Sequence, residues 1–324
     1  MNTAAIYRGS ILAMLLALSP PLALAEGAPP LTGTAFVTSW FGGVVSVVDL
    51  ATSQITHTIP VGVHNHNAAL RPDQQQAWVT NNNDGTLSVI DTEAQAVIHT
   101  VPTGAGPRHT SFSPDGGEAY VTNEFAGRVE VFDTATFRSR GAIRVGAMPH
   151  FALVAGEKLF VTEYGSGKVS VISRAKRRVL ATVAVGSGPL GAGATKDGQR
   201  IYIACHTANQ VAVIDGHSHR LIARIPTDPG PVQITVAPDQ AHAYVANDGA
   251  GTVQKIDLAT HRIVGTIQIG AGAGSHGIGF AGGGRWLLVT NTGANTVSVI
   301  DTATDAVVRT IPVPTAPEGI AIRR

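Results

Sequence analysis

Five of the twelve histidines, His64, His66, His109, His150 and His276, stand at or just before the start of a short apolar segment that recurs along the chain. Arg108 and Glu318 stand at matching places. Neutral imidazole is a ligand for Zn, Cu, Fe or Ni. It also serves as a general base, with a carboxylate and a guanidinium nearby to orient it or to bind an anion. Taken singly these residues say little. His64-Asn65-His66 offers two imidazoles two residues apart in a loop, a spacing common by chance. What matters is whether the chain brings them together.

The elements that would do so are repeats. Ala-Tyr-Val-Thr-Asn at 119–123 recurs in altered form as Trp78-Val79-Thr80-Asn81, Phe160-Val161-Thr162-Glu163, Tyr202-Ile203-Ala204-Cys205, Tyr244-Val245-Ala246-Asn247 and Leu288-Val289-Thr290-Asn291, with an early copy at Phe36-Val37-Thr38-Ser39. The shared Val or Ile falls at 37, 79, 121, 161, 203, 245 and 289, giving spacings of 42, 42, 40, 42, 42 and 44. Each copy reads as four strands. Around residue 110 these are His109 to Ser113, Ala119 to Thr122, Val129 to Phe132 and a piece running to about Val145, separated by Pro114-Asp115-Gly116-Gly117, a loop, and Asp133-Thr134-Ala135-Thr136. Alternating β-branched residues bounded by Gly, Asp and Asn give the strand and turn assignments. Four strands in about 40 residues is the pattern of a propeller blade. The fold class is therefore all-β, a seven-bladed β-propeller of four-stranded blades over residues 34–324. The first copy lacks its first strand, and Glu318-Gly319-Ile320-Ala321-Ile322 resembles one. This C-terminal piece is expected to pair with the first blade and close the ring, removing two open sheet edges.

The strings "AYVTNEFAGRVEVFDTAT" (119–136), "LVTNTGANTVSVIDTAT" (288–304) and "SFSPDGGEAYVTN" (111–123) resemble the YVTN-type β-propeller repeat family. The resemblance covers about 34–324. It implies the propeller fold and leaves function open, since relatives include surface-layer, periplasmic binding, cofactor-handling and occasional enzymatic proteins.

Strand order assigns loops to faces. The connection between blades and the loop from second to third strand share one face, here the top; the Pro-Asp-Gly and Asp-Thr-Ala-Thr turns share the other. His57 and His99 fall in outermost strands, and His217, His219, His242 and His261 in bottom turns, so these six are set aside. His206 falls in a top loop. Aligned on the first strands, one ring reads His66, Arg108, Pro149, Leu190, Val232, His276, Glu318, and the next Asn67, His109, His150, Gly191, Gln233, Gly277, Gly319. Two positions further the ring is small: Ala69, Ser111, Ala152, Gly193, Thr235, Gly279, Ala321. The candidate metal ligands are His64, His66, His150, His276 and Glu318. Arg108, His109, Trp40 and Phe41 are the candidate cofactor contacts, and Glu124, Phe125, Glu163 and Tyr164 widen the top surface. The cofactor expected is a transition metal or a non-covalently bound haem-like group, since there is no Cys-x-x-Cys-His. A hydrated polar channel mouth is the alternative reading of the same residues.

Composition bounds the rest. A net charge of +1 gives no footprint for nucleic acid. Arg8, the apolar run Ile11 to Leu18 and Ala23-Leu24-Ala25 read as a signal peptide over 1–25, followed by a short linker over 26–33. No later apolar run is long enough to span a membrane. The lone Cys205 can form no disulfide within the chain and reads as a buried thiol. There is no Gly-x-Ser-x-Gly elbow or Walker loop. The expectation is a monomeric periplasmic or secreted binding or accessory protein, taking a protein partner or small ligand on its top face. A metal-assisted hydrolase or lyase using the same His/Glu cluster, and an adhesion or surface-layer module, are the alternatives.

Overall fold

The computed structural model describes residues 29–324, so the signal peptide expected over 1–25 lies outside the described residues. Within them the chain forms seven four-stranded antiparallel sheets. Six blades run in chain order, with strands such as Pro107–Phe112, Glu118–Asn123, Arg128–Asp133 and Ser139–Arg144 in the third. The first blade is built from both ends: Pro317–Arg323 pairs with Thr34–Ser39, in a register that sets Phe36 against Ala321 and Val37 against Ile320. The ring closes as the repeat count requires.

Burial explains the local sequence. In second and third strands nearly every residue is buried, as in Glu118–Asn123, because both faces of the sheet pack against neighbouring blades. Hence their near-continuous apolar runs. Outermost strands are largely exposed, each held by an inward anchor such as Ile59, Val101 or Ile143. Seven hydrophobic clusters result, and each draws its members from two adjacent blades. A single sheet of this composition could not cover both of its faces. The bottom turns repeat for a local reason: Asp49, Asp133 and Asp257 each accept an N–H from the residue three positions on at 2.7 Å. Residues 29–31 also pack on the ring, with Leu31 in the cluster between the seventh and first blades and the Trp286 indole N–H donating to Pro29 O at 3.2 Å. Cys205 is fully buried and unpaired, and burial pushes its thiol up to about 12. Among the described residues no helix is long and apolar enough to cross a membrane.

Candidate functional site

The innermost strands surround the axis, and each is irregular near its top. Asn65 pairs with Asn81 and Ala68 with Val79, so His66 and Asn67 together face the single residue Thr80. This is a β-bulge, which re-aims side chains. The same shift places His150 and Phe151 opposite Thr162, and His276 and Gly277 opposite Thr290. In five of the seven blades the threonine of the repeat fixes the bulge; the fifth and sixth carry Ala204 and Ala246 there. The threonine hydroxyl receives an N–H from its own blade and donates to the next. Thr38 donates to His66 O (3.0 Å), Thr80 to Arg108 O (2.8 Å), Thr122 to His150 O (2.7 Å) and Thr290 to Glu318 O (2.6 Å). Glycine follows Glu318 because the next blade comes close: a Cβ on Gly319 would lie 2.7 Å from His66 O.

This pattern corrects the sequence alignment in the fourth blade. His150, not Pro149, shares the position of His66, Arg108, His276 and Glu318, and Leu153, not Ala152, lines the channel. The fourth repeat is shorter by two residues, and motif spacing alone did not locate the difference.

The side chains converge. The His66 ring centroid lies 4.9 Å from that of His109, 5.3 Å from His150 and 5.7 Å from His276. One ligand atom from each of His66, His109 and His150 falls within 4.8 Å of the others, and the same holds for His66, His276 and Glu318. His66 Nε2 stands 3.5 Å from a Glu318 carboxylate oxygen. His66, His109 and His150 are only 2–4 % exposed. The Nδ1 atoms of all four imidazoles, and Glu318 Oε2, are buried without a hydrogen-bond partner. Desolvation, reinforced by the positive field of Arg108 and by neighbouring imidazoles, holds His66, His109 and His150 well below the usual histidine range. His276 is lowered to about 4, chiefly by burial. Burial raises Glu318 to about 8, partly offset by Arg108. The cluster thus holds neutral imidazoles beside a carboxyl group that resists ionising.

The remaining candidates cap it. Trp40 stacks on His64 (centroids 4.8 Å, 8° between planes), meets His66 edge-on at 5.7 Å and carries the Arg108 guanidinium 5.5 Å above its ring. Arg108 is also paired with Glu124. His64 lies outside both ligand groups. His109, expected among the cofactor contacts, belongs to the imidazole triad. Phe41 and Phe125 are exposed on the same face, at 68 % and 67 %. Glu163 is instead structural, buried and accepting from Gly146 N–H, Ser166 and Ser170. His206 pairs with Asp248 at 3.2 Å, apart from the cluster. Gln233, which the sequence offered only as one of the smaller ring members, places its amide nitrogen 3.2 Å from His109 Nε2 across the channel.

Fold and cluster together define a seven-bladed propeller with a buried histidine-rich centre on its axis. The family described as lactonase, 7-bladed beta-propeller, matches residues 41–149, and the family described as cytochrome D1 heme domain matches residues 196–320. No curated protein matches the chain. Similar solved structures include hydrazine synthase of Kuenenia stuttgartiensis (17 % identity, 79 % of this chain and 88 % of that one, TM-score 0.73). A functionally unknown protein from Desulfotomaculum acetoxidans is similar at 16 % identity, over 90 % of this chain and 99 % of that one, with TM-score 0.79. The dihydro-heme d1 dehydrogenase NirN, solved in complex with DHE, is similar at 15 % identity, over 95 % of this chain and 78 % of that one, with TM-score 0.69. At these identities the likeness is one of fold.

Proposed function

We propose that this protein is an exported, non-enzymatic binding or accessory protein that holds a transition-metal ion through His66, His109 and His150, with His276 and Glu318 completing the site. One observation carries this reading: three imidazoles from three consecutive blades offer nitrogens within 4.8 Å of one another, and each has a buried Nδ1 without a partner. Leaving a buried polar atom unpaired costs about 1–3 kcal/mol. A hydrated channel mouth would satisfy these atoms with water, and a bound ion would satisfy them directly. An ion would be held by one ring nitrogen from each of the three imidazoles, as a His₃ site supplies them. Neutral imidazoles need not lose a proton to bind it, and the donor set suits Zn(II) or Cu(II).

A second reading has its own support. The cytochrome D1 heme domain match spans His276 and Glu318, and the NirN neighbour is described with a bound ligand. A tetrapyrrole is too wide to enter among nitrogens this close. It would rest on the top face against Trp40, Phe41 and Phe125, and the partly exposed His64 is the imidazole that would help hold it there.

Metal analysis and an absorption spectrum of protein recovered from its native export route separate the two. Stoichiometric metal without a tetrapyrrole band is expected. The pair His150→Ala and His276→Ala should abolish metal binding and leave the fold intact. The pair His57→Ala and His99→Ala, on exposed outer strands, should change nothing. Metal-free protein carrying a tetrapyrrole band would replace the first reading by the second.

A further inference from the structure

The metal reading leaves one side of the cluster without ligands. Going round the axis, the seventh, first, second, third and fourth blades supply His276, Glu318, His66, His109 and His150. The fifth and sixth supply Leu190 with Gly191 and Val232 with Gln233. A cavity of about 360 Å³ runs down the channel, lined by the inner strands of all seven blades, the fifth and sixth included. Its walls include His66, His109, His276 and Glu318 above and Gly193 and Thr235 below. Trp40, His64 and Arg108 do not line it, so it leads away from the aromatic cap.

Two uncharged polar side chains stand in this wall. Gln233 is 7 % exposed and directs its carboxamide at His109, with its oxygen on the Gly191 side, where a Cβ would lie 2.3 Å from it. The Thr110 hydroxyl is buried without a partner. Uncharged donors facing the open side of a cationic centre favour a ligand that brings negative charge and accepts hydrogen bonds. Resting on the metal reading, we propose that the cluster and Gln233 together bind a small anionic oxygen- or nitrogen-donor ligand, coordinated to the ion and hydrogen-bonded by Gln233 and Thr110, which arrives through the channel from the bottom face. The cavity admits a small molecule and no macromolecular segment.

The test uses the full mature chain loaded with Co(II), whose visible spectrum reports a change of ligand, with azide and acetate as probes. Metal content is measured first and separately. Wild-type protein should show a saturable spectral change with each anion. Gln233→Leu and Thr110→Val should each weaken azide binding by about tenfold, the equivalent of a lost charge-assisted hydrogen bond, at unchanged metal content. Thr235→Trp, low in the channel, should slow azide binding by about tenfold or more, whereas Phe41→Ala on the top face should leave its rate unaltered. Failure to take up Co(II) would overturn the metal reading and this one with it. Normal uptake with no anion effect, or with unchanged affinity in both polar variants, would overturn this inference alone. A normal rate in Thr235→Trp together with a changed one in Phe41→Ala would overturn the bottom-face route.

Discussion

The Thr122 hydroxyl donates to the backbone carbonyl of His150 at 2.7 Å, across the boundary between the third and fourth blades. It also receives the His109 N–H at 3.0 Å. One side chain therefore ties two members of the imidazole triad to a common point. Thr122→Val keeps the shape and removes both bonds, leaving a buried N–H and a buried carbonyl unpaired. A loss of about 1–3 kcal/mol is expected in denaturant unfolding. Metal affinity should fall by about tenfold as the two rings lose their fixed spacing. Unchanged metal affinity in a destabilised variant would limit the threonine to a role in folding.

The residue preceding the inner strand has a positive φ in every blade: His64, Gly106, Met148, Gly188, Gly230, Gly274 and Ala316. Four blades use glycine there, which adopts this conformation without a Cβ penalty. Met148→Gly should therefore raise stability by about 0.5–1 kcal/mol, since little packing is lost with its exposed side chain. His64→Gly relieves the same strain but forfeits the stack on Trp40, worth about 0.5–1.5 kcal/mol. Its thermal midpoint should stay close to that of the parent. A marked drop in both variants would mean that these side chains pack more tightly than their exposure indicates.

In metal-free protein the cluster should shape stability against pH in two directions. His66, His109, His150 and His276 all titrate below their unfolded values near 6.5. Between those values and 6.5 the unfolded chain binds more protons than the folded one, so stability is lost as pH falls below 6.5. Glu318, at about 8 folded against 4.5 unfolded, acts oppositely. The folded state keeps its proton, and stability is lost as pH rises toward 8. His206, raised by Asp248, adds to that alkaline loss. Four imidazoles outweigh one carboxyl below 6.5, so the thermal midpoint should peak near that pH. Glu318→Gln should flatten the alkaline limb. A midpoint still rising through pH 8 in wild-type protein would contradict the raised carboxyl.

Deleting residues 314–324 removes the inner strand of the first blade, including Ile320 and Ile322, which pack against the cluster between the seventh and first blades. It opens the ring and strips a buried edge of its partner. Ordinary terminal trims cost little. This one should lower the thermal midpoint by at least about 10 °C, or prevent folding. Deleting only Arg324, which follows the last strand, should be neutral by the same measurement.

The sequence by itself determined the propeller, the number of blades and the closing strand, because each rests on local periodicity: strands of period two, turns marked by Asp and Gly, and a repeat near 42 residues. It also separated His57, His99 and the bottom-turn histidines from those on the axis, since strand order assigns loops to faces. Only the tertiary structure decided that His66, His109 and His150 meet. Their side chains are aimed by bulges, and the extra residue of a bulge is invisible to a period-two pattern. The fourth blade slipped by one residue, setting Pro149 where His150 belongs, because that repeat is two residues shorter and its spacing does not say where. The role of Gln233 was out of reach for a stronger reason. It lies 124 residues from His109, in a blade across the axis, and only closure of the whole ring brings the two to hydrogen-bonding distance.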